Sequence, residues 1–344
     1  GDNTGANYLE PSRSPLKNIS FLMTLGALLI GMKEYSGLLR AAISDAGNEH
    51  RMGSHEAPPA ILSLYMGDYL NEILDSIENA TKFTDKTLST INHGIEGLPK
   101  VMKDISDRNR TSPVAFTGNK FELRALGSSA NGSDAAKIMN MLCAYGYEQL
   151  IAKLEKKKGD VKKNALIILK DVLKETKNIR FEGNNYADSW KSEAKKRKLF
   201  VVDTTPEALK YNLNDECVKL FESHGILTKR ELESRVEIKF DAYSNTKIVE
   251  YKLAIDIARR HIMPAITDQL NELGKAYDYG RQIKLNAVSL QNDFRSLEEI
   301  YAKVQTKVEY LTKFVNKAEA EEDSYKRAYS VSTKGTELLE SLRE

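Results

Sequence analysis

Asp-Arg-Asn-Arg-Thr-Ser-Pro-Val-Ala-Phe-Thr-Gly-Asn-Lys-Phe-Glu-Leu-Arg, residues 107–124, opens with two arginines and closes on an alternating strand. Arg108 and Arg110 flank Asn109 in a turn that Pro113 stiffens by fixing its own φ. In Phe-Glu-Leu-Arg, the period of two puts Phe121 and Leu123 on one face and Glu122 and Arg124 on the other. A carboxylate and a guanidinium side by side on a half-buried strand either close on each other as an ion pair or hold an occupant between them. A divalent metal on Glu122 and an anionic group on Arg124 would be such an occupant. For Glu-x-Arg taken alone, the ion pair is the favoured reading.

Outward from this stretch, the composition bounds the rest. The chain has 344 residues, 41% hydrophobic and 29% charged, enough for one large domain or two smaller ones. A net charge of +2 gives no reason to invoke nucleic acid or an anionic membrane. Cys143 and Cys217 are too few for a disulfide framework, fit an intracellular setting, and read as core thiols. The opening Gly-Asp-Asn-Thr-Gly-Ala-Asn reads as a turn caught inside a protein.

Residues 19–32 form the most apolar run. It falls short of the ~20 apolar residues of a membrane span, lacks the basic flank of a signal peptide, and carries Gly26 and Gly31, which suit close helix packing. A buried helix is expected, then a second over residues 35–46. A loop over 47–56 should follow, where Asn48, His50, Arg51, His55 and Glu56 are too polar to be buried without a task. His50 and His55 do not share a helix face, and no further zinc ligands accompany them. From Pro59, Ile61, Leu62, Leu64, Tyr65, Met66, Leu70, Ile73, Leu74 and Ile77 predict an amphipathic helix. His93 reads as a solvated loop histidine.

After residue 127 the pattern turns helical. Ser133 is expected to cap a helix over 134–158, and the next should span 161–175 after a break at Gly159 and Asp160. The lysine runs at 156–158 and 195–198 are interleaved with acids and read as solvated faces. Trp190 is expected in a core or a subunit contact. Thr228 and Glu231 have capping-box spacing, and Pro264 should kink the helix that follows. Leu290, Phe294, Leu297, Ile300, Tyr301, Val304, Val308, Leu311 and Val315 approach a heptad seam, suited to antiparallel partners or a neighbouring subunit.

Several of these stretches together resemble glutamine synthetases, most closely the large type III class. Asn-Arg-Thr-Ser, the glycine turn and Asn-Lys-Phe-Glu-Leu-Arg are similar to that family's phosphate-and-metal segment. Ala-Gly-Asn-Glu-His-Arg-Met-Gly-Ser-His-Glu-Ala-Pro-Pro, residues 46–59, is similar to its substrate-and-flap segment. Phe-Glu-Gly-Asn-Asn-Tyr-Ala-Asp-Ser-Trp at 181–190 and the run from Thr204 to Gly225 resemble type III sequence as well.

The resemblance implies an α+β, predominantly helical fold: residues 1–130 as the C-terminal part of a catalytic domain and 131–344 as a long-helix C-terminal region. It implies ATP-dependent ligation of ammonia to glutamate through γ-glutamyl phosphate, with Mg2+ or Mn2+, in a cytoplasmic homo-oligomer of stacked hexameric rings, free of nucleic acid and membrane. A glutamate–amine ligase of the same fold and a non-catalytic scaffold are the alternatives. By position, Arg51 would hold glutamate, Glu56 would be the flap acid that takes a proton from ammonium, and Arg110 would contact the phosphoryl group in flight. Glu122 would bind metal, Arg124 would face the substrate, and Lys120 with Arg108 would serve the nucleotide phosphates. The chain departs from compact family members at Ala115, where they carry an arginine, at Lys120, which gives up bidentate geometry, and in a flap spacing one residue shorter. The family's metal-binding His and substrate-holding Asn are expected upstream of Gly1, which would make the chain the C-terminal half of a longer polypeptide, inactive alone.

Overall fold

The computed structural model describes residues 3–12, 14–53, 57–81, 90, 91, 101, 102, 111–284 and 286–344. It is α+β and predominantly helical, in two compact units: residues 1–203 with 211–229, and residues 204–210 with 230–344.

In the first unit, α1 (Ile19–Ala42) is the central helix, and the side chain of Asn18 caps it by accepting from the Phe21 N–H at 3.1 Å. Phe21, Leu25, Leu29 and Met32 are fully buried, as expected of a helix that is apolar all round. The two helices expected over 19–32 and 35–46 are one, bent at Tyr35 (φ −129°, ψ 25°). The segment expected to be a loop begins instead as a short helix, α2 (Ala46–Arg51), because Asp45 caps it through the Asn48 N–H at 2.7 Å.

β1 (Leu64–Tyr65) corrects the helix expected from Pro59. Ile61, Leu62, Leu64, Tyr65 and Met66 are all at most 4% exposed, a burial on both faces that belongs to a strand in parallel pairing rather than to an amphipathic helix. The helix begins only at α3 (Asp68–Asn79), after Gly67 at φ +79°. β2 (Thr90–Ile91) and β3 (Val101–Met102) form a small antiparallel pair. β4 (Val114–Phe116) lies between β1 and β5 (Phe121–Leu123), parallel to the first (Leu64 opposite Val114) and antiparallel to the second (Ala115 opposite Glu122). The outer side of β1 is covered by Phe181, whose N–H donates to Leu64 O at 3.0 Å.

α4 (Ser133–Glu155) and α5 (Val161–Glu175) pack on α1. Ser133 is the first residue of α4 rather than its cap, and its own N–H is taken by Asn131 Oδ1 at 2.9 Å. Gly159 (φ +103°) and the Asp160 cap start α5 as expected. Trp190 opens α6 (Trp190–Lys196), 1% exposed and stacked on Phe181 at 3.7 Å, so it is a core residue of this unit. α7 (Thr205–Lys210) belongs to the second unit, and α8 (Asp215–Ser223) closes the first.

The second unit is built on α9 (Lys229–Ile257), which begins directly after Thr228. Pro264 does not break it. The backbone widens into a π-turn at Ala258–Ile262 and continues as α10 (Met263–Gln282), with proline in the new helix's first turn. The wider turn accommodates a ring that would clash with a carbonyl four residues back. α10 packs on α11 (Val288–Glu319), whose seam divides: Val308, Leu311 and Val315 are buried, whereas Phe294 is 37% and Ile300 46% exposed. α12 (Ser324–Ser330) and α13 (Thr336–Arg343) flank a second π-turn at Val331–Gly335, where the Tyr251 hydroxyl donates to Val331 O at 2.8 Å. No helix among the described residues is long and apolar enough to cross a membrane.

Candidate functional site

The sheet presents β5 with its faces divided as the alternation requires. Phe121 packs against Phe116 at 5.3 Å between ring centroids, and with Leu123 it lines a cavity of about 590 Å3. Glu122 and Arg124 carry the polar face. They meet directly: Arg124 Nη2 and Nε donate to Glu122 Oε2 at 3.0 and 3.3 Å. The Thr117 hydroxyl donates to Glu122 Oε1 at 3.3 Å, and Lys120 Nζ lies 3.6 Å from the same oxygen. The Arg124 hydrogen bond, aided by the charges of Arg124 and Lys120 and by the Thr117 bond, holds the Glu122 carboxyl below its ordinary pKa. The carboxylate stays 39% exposed, and an ion pair open to water contributes little, so an incoming cation or anion can part it.

Arg51 reaches the same stretch of chain from α2. Its Nη2 donates to Leu126 O at 3.1 Å, two residues beyond Arg124. The structure thus brings Lys120 and Arg124 onto Glu122, and Arg51 onto the main chain at Leu126. Ala115 is fully buried in the sheet opposite Glu122, so its position offers no open face for a cation. Glu56, Arg108, Arg110, His55 and His93 lie outside the described residues.

Among the described residues, no group of three or more His, Cys, Asp and Glu side chains could hold a metal ion. Glu122 could give a divalent ion one carboxylate, with its remaining ligands drawn from elsewhere, so these residues do not form a metal cage by themselves.

Asn48 is 1% exposed, and the sequence marked it only as one polar residue among several. Its Nδ2 donates to Ile43 O at 2.6 Å and to Ala125 O at 2.7 Å. Its Oδ1 accepts from Arg51 Nε at 3.2 Å and Nη2 at 3.1 Å. Glu182 was also missed: its two oxygens accept from the N–H groups of Met66 and Gly67 at 3.0 and 3.1 Å, fixing the step from β1 into α3. Buried Asn185 bridges the segments before β1 and β4, donating to Ser63 Oγ at 3.3 Å and accepting from the Thr111 hydroxyl at 3.4 Å. Glu182 and Asn185 stand in a largely polar run, residues 182–189, so nothing local singled out either role.

The family described as glutamine synthetase C-terminal domain matches residues 165–280. A type-3 glutamine synthetase of Dictyostelium discoideum is 37% identical over 265 residues, 76% of this chain and 36% of that protein. Glutamine synthetases of Bacteroides fragilis and Butyrivibrio fibrisolvens are 37% and 38% identical over 276 residues, 78% and 79% of this chain and 38% and 39% of theirs. The chain thus spans less than two-fifths of the length of these relatives. Residues 165–280 thus carry the glutamine synthetase C-terminal domain, and the chain is similar to part of these glutamine synthetases.

Proposed function

We propose that this chain contributes to an enzyme that ligates ammonia to glutamate at the expense of ATP, giving glutamine. The observation that supports the reading is that Lys120 and Arg124 converge on Glu122 while Arg51 bonds the main chain at Leu126, in stretches whose sequence resembles glutamine synthetases. A carboxylate does not react with ammonia until activated, and phosphorylation by ATP makes it a γ-glutamyl phosphate that ammonia attacks with loss of phosphate. The intermediate is polyanionic, so cations must balance its charge.

In this reading Arg51 binds the glutamate carboxylate and Arg124 faces the substrate as the Glu122 pair opens. Lys120 and Arg108 meet the nucleotide phosphates, Arg110 the phosphoryl group in flight, and Glu56 takes a proton from ammonium. Glu122 would give one carboxylate to a divalent ion, Mg2+ or Mn2+, whose positive charge would balance that of the phosphates. Residues 1–130 carry these groups. Residues 131–344 form the helical region, although α4 and α5 pack within the first compact unit. The assembly is a cytoplasmic homo-oligomer of stacked hexameric rings.

The test is Glu122→Gln in the full-length enzyme. At limiting magnesium it should cut turnover by orders of magnitude and raise the metal concentration needed, with the circular dichroism spectrum unchanged. Turnover within a few-fold of the parent would remove Glu122 from the site.

A further inference from the structure

Asn48 sits where α2 meets the main chain after β5, and its carboxamide has no unused capacity. An amide offers two N–H donors and two acceptor lone pairs. Here both donors go to main-chain carbonyls, Ile43 O and Ala125 O, and the oxygen receives two N–H groups of one guanidinium, that of Arg51. The partners fix the orientation of the amide, since turning it over would set the NH2 against the guanidinium and the oxygen against two carbonyls. Its own N–H is held by the Asp45 cap. The three-residue spacing puts Asn48 and Arg51 on one face of α2, and the bond to Ala125 ties that face to the main chain just past β5, 77 residues away.

We infer that Asn48 is a positioning residue for glutamate binding: it sets the plane of the Arg51 guanidinium and fastens it to the main chain that directly follows Glu122 and Arg124. The inference rests on the proposed glutamate-binding role of Arg51. An arginine side chain has many rotamers, and its fork recognises a carboxylate only when the plane is held. Two bonds to Asn48 Oδ1 and one to Leu126 O restrict that plane before any ligand arrives. The interaction is local to Arg51, so losing it should weaken glutamate binding and leave ATP binding nearly untouched.

The experiment has two readouts on the full-length enzyme. The first is NMR exchange of the Arg51 Nε–H with solvent. It should be at least tenfold slower in the parent than that of exposed Arg295, and should rise to the Arg295 rate in Asn48→Ala. The second is steady-state kinetics of Asn48→Ala, Arg51→Ala and the double variant. Asn48→Ala should raise the glutamate KM about tenfold with the ATP KM within twofold, the scale expected when a binding group is left misplaced. In the Arg51→Ala background the same change should add less than twofold, because Asn48 acts through Arg51.

Arg51 Nε–H exchange in the parent as fast as that of Arg295 overturns the inference without any variant, so it stays testable even if Asn48→Ala fails to fold. Single effects that multiply in the double variant, with Arg51→Ala alone still raising the glutamate KM, overturn the part assigned to Asn48 and leave the proposed function standing. A glutamate KM unchanged by Arg51→Ala overturns both.

Discussion

Gly146 on α4 lies against α1 so closely that a Cβ at that position would stand 2.0 Å from Ala27 O and 2.5 Å from Ala27 C. The crossing is reciprocal, because a Cβ on Gly31 of α1 would stand 2.3 Å from Leu142 O on α4. Ordinary contact begins near 3.4 Å, so Gly146→Ala must move the two backbones apart by more than 1 Å. The atoms in the way are main chain and cannot rotate aside. Overpacking of this kind costs about 1–3 kcal/mol where side chains can adjust, and a clash with backbone belongs at or above the upper end. Alanine returns about 1 kcal/mol of helix propensity. The expected net destabilisation is about 2–3 kcal/mol.

Trp190 makes the measurement specific. It is the only tryptophan, lies in the first unit and is 1% exposed, so its fluorescence during urea unfolding follows that unit alone. Gly274→Ala is the control. It is an interior position of α10 in the second unit, where the new Cβ would meet nothing closer than Phe294 Cε2 at 4.0 Å. It should leave the tryptophan transition unmoved and stabilise α10 by up to about 1 kcal/mol. A Gly146→Ala transition within about 0.5 kcal/mol of the parent at unchanged slope would refute the packing argument, since a 2.0 Å approach to a carbonyl cannot be absorbed so cheaply.

Glu78 is 7% exposed and pairs with Arg180 at 3.0 Å and Lys177 at 3.1 Å; burial opposes its charge, but these hydrogen bonds and charges outweigh it and hold the carboxyl below its ordinary pKa. A depressed folded-state pKa contributes stability that is complete above the unfolded pKa and is lost as pH falls through the folded one. The parent should therefore lose stability below the ordinary carboxylate range, and Glu78→Gln, itself costing about 3–5 kcal/mol at neutral pH, should show a flatter acid limb in urea titrations. Burial pushes the thiols of Cys143 and Cys217 up to about 11 and about 12, so a disulfide reagent at pH 8 should label neither at the rate of an exposed thiol until denaturant is added. Rapid native labelling of Cys217 would contradict its 1% exposure. The full-length enzyme should scatter light as a large oligomer at micromolar concentration, and a monomer there would dismiss the proposed rings.

What the sequence made legible was what a short window contains. The α1 run declared itself because it is apolar with two glycines, and Gly26 and Gly31 do stand at close approaches, to Leu169 Cδ1 at 3.0 Å and Leu142 O at 2.3 Å. The Glu122 and Arg124 pair is readable for the same reason, two residues apart on one face of one strand. The Ile61 to Met66 run misled because its apolar spacing continues smoothly into Leu70, Ile73 and Leu74. Only its neighbours on either side, β4 and the isolated bridge to Arg180, show that it is extended. The π-turn before Pro264 was half visible, since proline announces a disturbance but not whether the helix breaks or widens.

Asn48 was marked only as one polar residue among several, the role of Glu182 was out of reach, and the cause is chemical. A carboxamide or carboxylate that binds main-chain groups meets partners every residue possesses, so no complementary residue type elsewhere in the sequence betrays the contact. The Asn48 amide is matched by a carbonyl at Ala125 and the Glu182 carboxylate by amides at Met66 and Gly67, and any side chain at those positions would present the same atoms. Groups that touch ligand belong to recognisable types in recognisable company. The groups that aim them are set by main-chain geometry and become visible only when distant segments are brought together.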